Sequence, residues 1–431
     1  MVSDMRCVVI GGGPAGRAAA MELAALDREV ILVEKNLIGG TSLNEGCMVV
    51  CGLNDVARFL EEARRLSDLG VLDVECSADY RRIAGGVKRT LERIRRVTER
   101  ETLDAGIEIM YGVAGFEDDE LHVDGEEMDY DRLIIATGAS PLIPPIEGAG
   151  NAITYRDILD LNRIPDKLVI IGGGVIAAEF AGIFSSLGSE VTVVSRSGFL
   201  SELDPLIREY VSEKILGDVR ILEDTSTTEI EGSGVQTSEG YIEGLPLLAT
   251  GLRPNSDFLK GFLELGPRGG VKVNDRMETS RENVYAAGDV TGGHGTTPVA
   301  RMEGVVAGLN AAGVERRADY RYLPYSISLR YDVGFVDISG EGGREAVIPG
   351  LAGPGSFWSV NTGKTGLSKV RILDDGTPSA IYSVAPGARL IMPYLSLLMR
   401  LGVSMYEFEG FVETHPSTDS IYKLMRFLSR Y

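Results

Sequence analysis

Cys47, Cys51 and His415 are the residues whose types could do redox and proton chemistry together. The two cysteines close the segment Gly39-Gly40-Thr41-Ser42-Leu43-Asn44-Glu45-Gly46-Cys47-Met48-Val49-Val50-Cys51. Cys47 is expected near a helix start, where the dipole favours thiolate, the nucleophilic form of sulfur. Helical residues four apart have Cα atoms about 6 Å from each other, inside the disulfide range. Their Cβ vectors run roughly parallel, so a Cys47–Cys51 bridge would need local distortion of the helix. Three readings follow: a Cys47–Cys51 dithiol, a lone Cys47 cycling through a sulfenate, persulfide or mixed disulfide, or an inert buried thiol. His415 is one of three histidines and precedes a helical segment. It is read either as an acid/base or as a structural residue.

Redox chemistry at a thiol needs an electron source, and two segments are built to bind one. Gly11-x-Gly13-x-x-Gly16 follows a buried-strand pattern at 6–10, opens a helical run at 14–26, and leads to a strand at 30–33 ending in Glu34. That context fits a dinucleotide site, with pyrophosphate on the helix N-terminus and the acidic residue on an adenosine ribose. A second copy spans 167–196, with a strand at 168–171, the turn Gly172-x-Gly174-x-x-Ala177, a helix at 175–187 and a strand at 191–194. Two copies imply two nucleotide ligands, or one ligand and one relic. An electron-transfer flavoenzyme needs FAD and a pyridine nucleotide together.

The remaining elements must position these loops. A helical pair is expected at 54–69 and 79–103, the second with arginines and glutamates interspersed on a solvated face. Residues 121–128 alternate around Asp124-Gly125 and read as a hairpin. Buried strands ending in tight turns recur at 133–138, 247–251 and 284–289, and a helix follows at 299–312. From about residue 318 the pattern becomes short alternating strands at 325–329, 331–338, 366–373 and 379–384, then helices near 388–401 and 417–428. That reads as an antiparallel sheet with helices on one face. The expected fold is α/β: two Rossmann-like dinucleotide-binding domains plus a C-terminal α+β domain. The expected boundaries are 1–145 with 266–317, then 146–265, then 318–431.

Composition narrows the partners. A net charge of −20 opposes nucleic-acid binding, because phosphates would be repelled. Four cysteines are too few for a secreted disulfide framework. Cys7 lies in an apolar strand and reads as a small buried hydrophobe, and Cys76 sits in a polar connection. The apolar run at 7–10 is too short for a signal peptide, and no stretch reaches membrane-spanning length. A cytoplasmic protein is expected.

Taken together, these segments resemble the class I pyridine nucleotide-disulfide oxidoreductases along nearly the whole chain. Residues 39–51 resemble the family's GGTCxNxGCxPSK stretch, in which two cysteines form a disulfide that flavin reduces. Here Ser42 stands at the outer cysteine, Cys47 at the inner one, and Cys51 at the lysine. The resemblance implies FAD contacts at Gly11, Gly13, Pro14, Ala15, Gly16, Glu34, Lys35, Thr41, Ala114, Thr137, Gly138, Asp289, Thr297 and Ala300. Gly11, Gly13 and Gly16 would meet the pyrophosphate, Glu34 the adenine ribose and Asp289 the ribityl chain. Thr297 and Ala300 would lie at the pyrimidine edge. It implies NAD(P) contacts at Gly172, Gly174, Ile176, Ser195, Arg196 and Gly251. NAD forms place a carboxylate at the end of the second strand. A neutral donor followed by a guanidinium suits a 2′-phosphate, so Ser195-Arg196 favours NADPH over NADH, against a plainer reading of Arg196 as solvated.

The resemblance also implies a homodimer in which each C-terminus completes the partner's active site. The family's HPTxxE motif supplies a histidine from the partner. Here His415 keeps that register, and Ser420 replaces the glutamate, with Asp419 one residue earlier. The family's lysine pairs with a glutamate beside the flavin, which is kept as Glu179. Without that cation Glu179 is expected to take up a proton, pair with another base or be hydrated. The expected function is an FAD-dependent NAD(P)H oxidoreductase acting on a disulfide, persulfide or other sulfur substrate through Cys47. The alternatives are a diaphorase or transhydrogenase with no thiol step, and a non-catalytic flavoprotein subunit.

Overall fold

The structure is a computed structural model that describes residues 5–338, 340 and 342–430. The first sheet is parallel, in the order Val284–Ala286, Arg132–Ile135, Arg6–Ile10, Glu29–Glu34, Glu108–Tyr111. Its strands are near-continuous apolar runs because helices or loops cover both faces; Cys7, Val8 and Val9 are fully buried. The Pro14–Ala25 helix leaves the first glycine loop and packs on the Thr297–Ala311 helix through small residues. A Cβ on Gly304 would lie 2.1 Å from Ala15 O, and one on Gly308 would lie 2.7 Å from Ala19 O. These glycines let the two helices touch backbone to backbone, which brings Thr297 and Ala300 beside the loop.

A second parallel sheet runs Arg220–Leu222, Glu190–Val194, Lys167–Ile171, Leu245–Leu248. The Val175–Leu187 helix follows its glycine loop. A three-stranded antiparallel sheet at Thr227–Glu231, Gly234–Thr237 and Gly240–Glu243 adjoins it, which the hydrophobic pattern did not signal. Both Rossmann-like units are therefore present in a mixed α/β fold.

The C-terminal sheet is antiparallel, in the order Tyr325–Ser328, Asp332–Asp337, Pro378–Ala385, Leu367–Ile372, Arg344–Pro349. The Ala388–Arg400 and Ile421–Leu428 helices cover one face, with Val336, Val370, Ile372 and Ile381 beneath them. On the other face Val333, Tyr382 and Val384 join a core with Leu53, Phe180 and Phe184. The last strand is the sheet edge, and its charged start, Arg344-Glu345, hid it from the pattern reading.

Two helix boundaries differ from expectation. The helix placed at 54–69 is Cys47–Asp68, beginning directly after Gly46. The helix placed at 417–428 is Ile421–Leu428, because Ser417 and Asp419 spend their side chains on the preceding turn. Among the described residues no helix is long and apolar enough to cross a membrane.

Candidate flavin and thiol site

Both glycine loops open on one cleft of about 3130 Å³. A single small-molecule pocket holds roughly 300–1,000 Å³, so this one has room for two dinucleotides. Every residue expected to touch either nucleotide lines it except Gly16. Gly16 is buried against the preceding strand, where a Cβ would lie 1.9 Å from Gly11 O. It closes the helix onto the end of the strand and is not among the residues that line the cleft. Of the expected catalytic residues, Cys47 and Glu179 line the cleft, and Cys51, His415 and Asp419 do not.

The first loop is held by charge. Glu34 is buried, and its carboxylate accepts from Gly12 N and Asn36 N, each at 2.7 Å. Across the loop Gly13 approaches Gly40, and a Cβ on Gly40 would lie 2.7 Å from Gly13 Cα. Thr137 Oγ1 donates to Asn255 O at 2.8 Å, fixing the turn at Thr137-Gly138. The second loop is held by packing, with Gly173 against the segment that Ser195 ties together. Ser195 is buried and donates to Gly198 O at 2.6 Å, while Arg196 is exposed at the rim. Ser195 thus organises its loop with its proton, and Arg196 is the charged group left facing solvent beside it.

Cys47 is the first residue of its helix and is exposed to the cleft. Its sulfur lies 3.7 Å from Thr297 Oγ1, and that hydroxyl donates to Ser42 Oγ at 2.9 Å. A hydroxyl pair therefore stands beside the thiol. All four cysteines are free, so Cys47 and Cys51 are not bridged. Burial pushes the Cys51 thiol up from its ordinary value, and that of Cys7 to about 11. Cys7 is thus the inert buried thiol expected of it.

Glu179 has found a partner. Ser328 N donates to its Oε1 at 2.9 Å. Burial pushes its pKa up to about 7, with Asp332 adding to the rise and the Ser328 bond and Arg58 opposing it. Around it lie residues that the motif reading did not single out: Asn54, Arg58, Asp332 and Arg389. Their only signal in the sequence was that 51, 54 and 58 share one helical face. Tyr155 was also missed: it is buried and lines the cleft.

At the C-terminus His415 is exposed. Asp419 is buried and accepts from Ser383 Oγ and Ile421 N, each at 2.8 Å. Ser420 donates to Ser368 Oγ at 2.8 Å. These bonds hold the motif onto its own sheet, and none of them goes to His415.

The residues present fit a flavin nucleotide. Asp289 is a cleft carboxylate raised by burial, so ligand hydroxyls would supply donors it can accept. Gly13 has only Gly40 Cα near its missing Cβ, at 3.8 Å, which leaves backbone open to a phosphate.

Two dinucleotide loops opening on one cleft, with a thiol at a helix start between them, define a two-nucleotide redox enzyme. The chain belongs to the pyridine nucleotide-disulphide oxidoreductase family, whose model matches residues 5–304. It is 31% identical over 430 residues to an uncharacterized protein of Methanocaldococcus jannaschii, covering 98% of each chain. It is 32% identical over 329 residues to the dihydrolipoyl dehydrogenase of Acholeplasma laidlawii, covering 71% of this chain and 96% of that one. LpdA from Mycobacterium tuberculosis has the same fold, with a TM-score of 0.88 at 24% identity, covering 98% of this chain and 99% of that one. As a family member the protein is a flavoprotein oxidoreductase that uses FAD and NAD(P)H.

Proposed function

We propose that this enzyme reduces a disulfide, persulfide or related sulfur substrate through Cys47 acting as a single thiol. The observation that carries the reading is the position of Cys47: exposed at a helix start, in the cleft shared by both nucleotide loops, with Ser42 where a second thiol would stand. When bound, FAD supplies the two-electron relay between nicotinamide and sulfur. The Cys47 thiolate attacks one sulfur of an S–S bond and expels the other as a thiolate, leaving a mixed disulfide. A two-electron reduction of that mixed disulfide releases the second half and restores the Cys47 thiolate. The Thr297 hydroxyl can turn its proton to the anionic sulfur, with Ser42 then donating to Thr297.

The three units read as an FAD-binding domain at 1–145 and 266–317, an NAD(P)-binding domain at 146–265 and a dimerisation domain at 318–431. A homodimer is supported by exposed apolar side chains on the last unit, among them Trp358, Leu390, Tyr394, Leu397, Val412 and Phe427. In such a dimer the exposed His415 of each chain would serve the other's Cys47 as acid/base, while Asp419 would act only by holding the turn that carries it. Free cysteines throughout fit a reducing compartment, which supports the cytoplasm.

Cys47→Ser tests the reading. It should keep FAD bound and keep flavin reduction by NAD(P)H, and lose turnover with disulfide or persulfide substrates. Unchanged turnover would instead support a diaphorase with no thiol step, the reading that the missing outer cysteine also favours.

A further inference from the structure

Cys51 brings no charge to Glu179, yet Glu179 is held at a defined place in the wall of the cleft that the second glycine loop and Cys47 also line. Its partner is a backbone amide, Ser328 N. That amide is gripped from the Cys47 helix. Asn54, itself buried, points Nδ2 at Ser328 O, Ser328 Oγ and Leu329 O, at 3.1, 2.9 and 3.2 Å. Arg58 Nε donates to Leu329 O at 2.6 Å, and its Nη2 pairs with Asp332 Oδ1 at 2.6 Å. Arg389 reaches the other oxygen of Asp332, Nε to Oδ2, at 3.3 Å. Asp332 is 2% exposed, so its charge is matched by two guanidinium groups and hardly by water.

The geometry has a direction. Residues 51, 54 and 58 stand on one face of a single helix whose first residue is Cys47. That face runs from the thiol to the turn that holds Glu179. The charged and titratable groups around the pair are Cys47, Cys51, Asp55 and Arg58 from this helix, Asp332 from the Asp332–Asp337 strand, and Arg389 from the Ala388–Arg400 helix.

We infer that Asn54 and Arg58, anchored through Asp332 and Arg389, are positioning residues for flavin reduction: they fix the Ser328 amide that holds Glu179 on the nicotinamide side of the cleft, where among the described residues no cation pairs with it directly. The inference rests on the flavin and nicotinamide chemistry of the enzyme and is independent of what Cys47 attacks. Arg58 opposes the burial of Glu179 through its charge, whatever else it does. Asn54 carries no charge, so a merely structural staple there would leave the titration of Glu179 alone, whereas a positioning residue would not, because the Ser328 bond holds the pKa of Glu179 down against burial.

The test uses the FAD holoenzyme, anaerobically, with NADPH and with NADH. The rate of flavin reduction and the visible flavin spectrum are followed across neutral pH. Wild type should show one inflection near 7 in both readouts, absent in Glu179→Gln. Arg58→Gln should move the inflection up by about one pH unit, since an opposing charge is lost. Arg58→Lys should bring most of it back. Asn54→Ala keeps every charge and should also raise the inflection, which covers the case in which Arg58→Gln fails to fold. An inflection in the folded variants coincident with wild type would overturn the inference and leave the residues as staples. If neither nucleotide reduces the wild-type flavin, the nicotinamide reading itself fails and the inference falls with it.

Discussion

The two glycine loops share a backbone plan and differ in what locks them. In both, the first glycine has positive φ and lies against the carbonyl of a neighbouring strand end. A Cβ on Gly11 would fall 2.3 Å from Ala136 O, and one on Gly172 would fall 2.1 Å from Ala249 O. In the first loop a buried carboxylate, Glu34, gathers two backbone amides. In the second a buried hydroxyl, Ser195, donates once to Gly198 O, and Arg196 stands outside it. The first turn is thus tied directly by a carboxylate, whereas the second is packed at Gly173 against a hydroxyl that bonds the neighbouring segment. The difference falls at the strand end, where adenosine is told apart from its 2′-phosphorylated form.

The largest expected effect separates glycines that serve the fold from glycines that serve the ligand. Gly13 and Gly174 have φ of −75° and −88°, which any residue adopts, and a Cβ on either meets almost nothing of the protein. Gly13→Ala and Gly174→Ala should therefore fold, and each should weaken its own nucleotide by about 1–3 kcal/mol through overpacking. Equilibrium dialysis with FAD and with NADPH reads this, and Ala variants that bind both nucleotides normally would show that the loops do not meet phosphate.

Next in size is the lock itself. Glu34→Ala leaves two amides without an acceptor, at about 1–3 kcal/mol each. Ser195→Ala removes one ordinary hydrogen bond, about 1 kcal/mol. Thermal melts should rank Glu34→Ala well below Ser195→Ala, and the reverse order would mean that the loops are locked by something other than these side chains. A smaller effect concerns the exposed guanidinium. Arg196→Ala should raise the KM for NADPH roughly tenfold, the loss of about one charge-assisted bond. It should leave NADH unchanged, and equal changes for both would mark Arg196 as a general surface charge.

The last effect appears only as pH is varied. Glu179 has its pKa raised from 4.5 to about 7 in the folded chain. Between those values the folded state holds a proton that the unfolded state has released, so stability falls as pH rises through that window. Glu179→Gln should flatten this slope in denaturant titrations, and an unaltered slope would assign the proton to another group.

Much of the cleft was legible because loop glycines, strand-end residues and the Cys47 segment are local signals with fixed spacing. Gly13 and Thr137 could be placed by order along the chain. What was not legible depends on faces meeting across the fold. Asn54 and Arg58 look like ordinary polar positions of an amphipathic helix until the Tyr325–Ser328 strand is laid against them. Gly16 satisfied the motif, yet its task is packing, which spacing alone does not reveal. Asp419 kept the neighbourhood of a catalytic motif, and its bonds to Ser383 and Ile421 appear only once the sheet is formed.

The central claim is that a single thiol, Cys47, stands where the family places a redox disulfide. Anaerobic titration of the oxidised holoenzyme with dithionite, followed by flavin absorbance, tests it most directly. Uptake of two electrons per flavin is the predicted result, because only the flavin is there to be reduced. Uptake of four, with a long-wavelength band at half-reduction, would contradict the claim and show that Cys47 had found a partner sulfur.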